Sequence, residues 1–85
     1  MTASEHYESI FFYIENSVKI KKELLKYETE YHPEKVRSLI ASYKLTLSKI
    51  LSHCEGFLRE EKEDWEELEK IQDIYEKYKN FLATL

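Results

Sequence analysis

One glycine and one proline in 85 residues leave this chain almost without turn residues. A sandwich or barrel of strands needs a turn roughly every 8–12 residues, so a β architecture is excluded and helix remains. Hydrophobic residues make up 42% and charged residues 35%. The first share argues against a disordered chain, and the second against one buried in lipid. The length fits one domain, residues 1–85, with a core small enough that pairing with a second copy would add stability.

The few punctuation marks divide the chain into three helices. Thr2 and Glu5 have the spacing of a capping box, with Thr2 as the N-cap. His32-Pro33 ends what precedes it, because the residue before a proline resists the α conformation. Pro33 then suits the first position of a new helix, where its missing N–H is no loss. Asp64-Trp65-Glu66-Glu67 reads as a second box. The expected helices cover about 3–31, 33–61 and 64–84. The fold class expected is all-α: an up-down-up bundle, or a long helical hairpin with the third helix folded back, completed by self-association.

Gly56 is the rival break in the second helix, and phase argues against it. At about 100° per residue, Val36, Leu39, Ile40, Tyr43, Leu47, Ile50, Leu51, Cys54, Phe57 and Leu58 fall in one stripe about 120° wide that passes through Gly56 without slipping. A glycine there costs the helix roughly 1 kcal/mol, which a close approach of another helix would offset. The third helix is also one-sided, with Leu68, Ile71, Ile74, Tyr75, Tyr78, Phe81, Leu82 and Leu85 on a face about 140° wide and Trp65 beyond its edge.

The first helix carries more apolar surface than one face can hold. Tyr7, Ile10, Phe11, Ile14, Val18 and Leu25 make one stripe. Tyr13, Ile20, Leu24, Tyr27 and Tyr31 make a second on another side of the helix, and Phe12 belongs to neither. A helix apolar on all sides is covered on all sides, which predicts contact with another chain. The residues expected at that partner or oligomer interface are Phe12, Tyr13, Ile20, Leu24, Tyr27, Tyr31 and, from the third helix, Trp65.

Charge is unevenly spread along the chain. Residues 1–16 hold three acids and no base, residues 17–50 eight bases and four acids, and residues 51–85 ten acids and five bases. Antiparallel helices would gather Glu5, Glu8, Glu55, Glu60, Glu61, Glu63, Asp64, Glu66 and Glu67 at one end. Lys19, Lys21, Lys22, Lys26, Lys35 and Arg37 would gather at the other, around the first turn. Tyr27 and Tyr31 lie among these bases, a mixture that suits a nucleotide or another phosphate ligand. Lys19, Lys22, Lys26 and Arg37 are the residues expected to hold such an anion. The formal net charge of −4 counts against strong binding to DNA.

Catalytic patterns are hard to build from these residues. His53 and Cys54 are neighbours in sequence, but neighbours on a helix point about 100° apart. Cys54 lies in the middle of the second helix's stripe, where a cysteine serves as a small hydrophobe. Glu28 and His32 are four apart, but one carboxylate and one imidazole at a helix end are too few for zinc, the acidic cluster lacks the glycine turn of a calcium loop, and one glycine cannot form a phosphate loop. The expectation is therefore a protein that is not an enzyme, takes no cofactor or metal, and works as a small protein–protein interaction module: an inhibitor, adaptor or regulator acting as a homo-oligomer. The alternative is a binder of a nucleotide or other phosphate ligand at the basic turn. No apolar run approaches the roughly 18 residues that cross a bilayer. Met1–His6 has no basic leader, and a lone cysteine makes no internal disulfide, so a cytoplasmic setting is expected.

Overall fold

The computed structural model of the chain describes residues 1–60 and 64–85. It holds three helices, α1 (Ala3–Thr29), α2 (Pro33–Arg59) and α3 (Trp65–Ala83), and no strand among the described residues. The fold is all-α, as the scarcity of turn residues requires.

Each helix start follows from its sequence. The Thr2 hydroxyl accepts from the Glu5 N–H at 3.2 Å, and the Glu5 carboxylate accepts from the Thr2 N–H at 3.1 Å. Two backbone donors that α1 leaves free are thereby satisfied at once. The same bonds to Thr2 hold the Glu5 carboxyl below its ordinary pKa. Pro33 opens α2 at its first turn, with no side-chain cap from His32. Asp64 caps α3 by accepting from the N–H groups of Glu66 and Glu67 at 3.0 and 3.3 Å. Asp64 is thus the cap and not the first helical residue, and α3 begins at Trp65. α1 ends at Thr29 and not at 31, because Tyr31 enters the left-handed region, φ 58°, and closes the helix. α2 ends at Arg59. Residue 61, where its end was expected, lies outside the described residues, as do Glu61 and Glu63 of the expected acidic end.

α2 is the central helix. α1 and α3 each pack against it, and among the described residues their backbones do not approach one another. At about 1.5 Å per residue α1 and α2 form a hairpin roughly 40 Å long, within a molecule measuring 49 × 21 × 16 Å. α1 and α3 meet only through side chains. The Lys70 ammonium lies 4.9 Å from the centre of the Phe11 ring, and that of Lys21 lies 5.6 Å from the Phe81 ring.

The core joins Ile10 of α1, Tyr43, Leu47, Ile50, Cys54 and Phe57 of α2, and Ile71 and Tyr78 of α3. Every member of the α2 stripe is buried or half-buried, and α2 runs through Gly56 unbroken. Each fully buried Leu, Ile or Phe contributes about 1.5–3 kcal/mol relative to exposure. No buried side-chain nitrogen or oxygen among the described residues lacks a partner. Ser17 donates to the Ile14 carbonyl at 2.7 Å, which lets a hydroxyl sit in this core.

α1 buries a different line of residues from the one its apolar stripes predict. Ala3, His6, Ile10, Tyr13, Ser17, Ile20, Leu24 and Tyr27 are all buried or half-buried. They recur at alternating intervals of three and four, the seven-residue repeat of a helix wound along a partner helix. Val18 and Leu25, placed with Ile10 by a straight-helix count, are exposed. Tyr13 and Ile20, expected at a contact between chains, pack instead against the protomer's own core. The reason is residue type: at about 100° per residue Ile10, Tyr13, Ser17 and Ile20 share an arc of about 80°, but the polar His6 and Ser17 lie between the apolar positions and divide them into two stripes.

Candidate binding surface at the hairpin tip

The turn between α1 and α2 has two bonds that fix its shape. The His32 N–H donates to the Tyr27 carbonyl at 3.1 Å, and the Tyr31 N–H donates to the Glu28 carbonyl at 3.4 Å. Together with the left-handed Tyr31 these form the helix-ending motif in which glycine is the usual residue. The apolar contact that accompanies the motif is present too: the rings of Tyr27 and His32 meet edge to face at 5.7 Å.

A tyrosine in the left-handed region costs roughly 1–2 kcal/mol, because its Cβ crowds the following carbonyl. Tyr31 recovers none of that by packing, being 89% exposed. Its strained backbone holds an aromatic ring over the rim of an apolar hollow of about 570 Å³ lined by Tyr27, Glu28, Tyr31, His32, Pro33, Val36 and Arg37. The Tyr27 ring is clasped by Lys35, whose ammonium is 4.5 Å from the ring centre and donates to the phenol oxygen at 3.4 Å. Lys26 lies 5.5 Å from the same ring.

Of the four cations expected to hold an anion, Arg37 lines the hollow and Lys26 flanks Tyr27. Lys22 and Lys19 stand exposed about one and two turns further back along α1. Acids are interleaved with these bases. Glu28 lines the hollow, and Glu30 pairs with His32 at 3.7 Å. The tip is therefore aromatic and mixed in charge. Of the residues expected at an interface, Leu24 and Tyr27 are half-buried, Phe12 and Tyr31 are exposed, and Trp65 stands 77% exposed at the far end of the hairpin.

That far end holds a cluster that sequence reasoning missed. His6 and His53 place their Nδ1 atoms 3.0 Å apart. The His53 ring also stacks on Tyr13, 5.7 Å away and tilted by 14°, and Lys49 lies 5.3 Å from the Tyr13 ring. The His6 ring fills the space beside Gly56: a Cβ there would lie 2.5 Å from ring atoms. Burial, then the neighbouring His6 and Lys49, lower the pKa of His53. The signal available in sequence was the lone glycine inside an α2 stripe that did not break, which marked a close approach but not the group that makes it.

Cys54 is fully buried, and its thiol is pushed up to about 12 by burial and by the nearby Glu55 carboxylate. Such a thiol is held neutral and covered, the reverse of an activated nucleophile. No helix formed by the described residues is long and apolar enough to cross a membrane. No protein-family model, curated protein or solved structure matches this chain.

Proposed function

We propose that this chain is a non-catalytic protein-interaction module of the cytoplasm that engages a protein partner with its hairpin tip and associates with itself through apolar surface on α1. The observation that carries the reading is Tyr31. A backbone position that favours glycine is held by a large aromatic ring, and that ring is offered to solvent beside an apolar hollow. Strain kept at an exposed aromatic serves contact better than it serves stability. Tyrosine supplies much contact area with few rotatable bonds, which suits it to interfaces. For self-association the support is Phe12, Val18 and Leu25, all large and exposed on α1.

The second reading, a phosphate ligand at the same tip, is favoured by Lys26, Lys35 and Arg37 around Tyr27 and the hollow. Glu28 and Glu30 oppose it, since an anion must approach past them. Light scattering across a salt series tests the first reading. Apolar association should survive about 1 M NaCl, where charges are screened beyond roughly 3 Å. A chain that is monomeric at every salt concentration removes the self-association. A thermal shift with nucleoside triphosphates that disappears at high salt would favour the phosphate reading.

A further inference from the structure

His6 lies in the second turn of α1 and His53 in the second-to-last turn of α2, so one contact spans the open end of the hairpin. The Nδ1 atoms are 3.0 Å apart and the ring centres 5.2 Å. That difference takes up nearly the whole of two ring radii, so the two nitrogens point at one another almost along a line. They do not converge on a third point, as two ligands of one metal ion would. The geometry is that of an N–H···N hydrogen bond, with one ring donating from Nδ1 and the other presenting a bare lone pair.

Such a bond has a fixed proton capacity. It forms when both rings are neutral, and it survives one added proton, which goes to the far nitrogen of one ring. It does not survive two, because both Nδ1 atoms are then donors and two like charges stand in contact. The charges around the pair do little to relieve the second. Glu5 on α1 is the neighbouring acid, and its carboxylate is already engaged as the cap on Thr2. On α2, Lys49 adds a like charge beside the Tyr13 ring against which His53 stacks. Glu55 accepts from the Tyr75 hydroxyl of α3 at 3.1 Å and so faces α3.

We propose that His6 and His53 form a proton-operated latch: uptake of a second proton parts the two rings, lifts His6 off Gly56 and frees the first turns of α1 from α2. The lowered pKa of His53 agrees in sign. A folded-state pKa below the unfolded value of about 6.5 gives stability that is present above that pH. This stability is lost as pH falls through the lowered value.

Amide hydrogen exchange of the full chain between about pH 7.5 and about pH 5, the interval in which histidine charge changes, reads the latch directly. Rates are corrected for the intrinsic pH dependence of exchange. Protection of the amides of Tyr7–Phe12 should fall severalfold relative to those of Tyr43–Ile50, because the parted rings no longer hold the first turns of α1. His53→Asn keeps a neutral hydrogen-bonding partner for His6, so protection should persist at the acid end. His6→Ala should lower protection at every pH and abolish the step. A wild-type chain without the step overturns the latch. So does an equal loss of protection in Tyr43–Ile50, or a step that persists in both variants.

Discussion

The two ends of the α1–α2 hairpin treat glycine in opposite ways. At the tip, a left-handed position that suits glycine is held by Tyr31. At the open end, the chain's one glycine stands inside α2, where it weakens the helix, and the His6 ring occupies the space a side chain would need. Glycine at position 31 would relieve the backbone, and a side chain at position 56 would favour the helix if the space were open. Neither position is therefore tuned for the stability of its own helix. The tip accepts strain to present a ring to solvent, and the open end gives up helix propensity to bring two imidazoles together. Fold stability is supplied between and beneath these features, by the buried line from Tyr43 to Phe57.

The largest effect should separate the ends by stability. Phe57→Ala, in the core near the open end, should cost about 3–5 kcal/mol in urea denaturation. Val36→Ala, half-buried at the tip, should cost well under half as much, because a partly exposed site leaves a smaller cavity. Similar losses for the two would erase the distinction between a stabilising end and a presenting one.

Next come the two glycine positions. Tyr31→Gly should stabilise the fold by about 1 kcal/mol, through relief of the left-handed side chain, while weakening any partner binding at the tip. Loss of stability would mean that Tyr31 has packing value which its exposure hides. Gly56→Ala would bring a helix-propensity gain of roughly 1 kcal/mol if the space were open. With the His6 ring against it, that gain should be absent in thermal melts. A full gain would show that the ring moves aside freely.

The smallest stability effects belong to the exposed aromatics. Phe12→Ala should change protomer stability by no more than about 0.5 kcal/mol, the usual range for a surface site. It should still reduce self-association in sedimentation experiments. Tyr13→Ala, one residue on, should do the reverse, because Tyr13 packs on the protomer core and stacks on His53. Unchanged assembly in the Phe12 variant would move the search for a contact surface toward Val18 and Leu25.

Features set by neighbours in sequence were legible in advance. The Thr2–Glu5 box, Pro33 at the head of α2 and the unbroken α2 stripe each depend on residues within a few turns of one another. α2 also has a helix on either side, so its broad stripe is buried under any reasonable period. α1 was harder because its seam is interrupted by His6 and Ser17, polar residues that a count of apolar positions passes over. Without them the seven-residue repeat is invisible, and Tyr13 and Ile20 look like an outward face. The His6–His53 bond joins residues 47 positions apart, and nothing local announces it. Tyr31 was expected at an interface, but its left-handed backbone was not: that conformation contradicts its residue type, and only the bonds of His32 and Tyr31 to the end of α1 reveal it.

The exposure of Trp65 bears on how the protein behaves under light. The chain has one tryptophan, and it stands mostly in solvent at the start of α3, away from the core. Its emission in the native state should already resemble that of a solvated indole, so the colour of its fluorescence changes little when the helices melt. The seven tyrosines, of which Tyr43 and Tyr78 are buried, carry the optical record of folding instead. The indole is left with one report to make: a blue shift would mean that something has covered the first turn of α3.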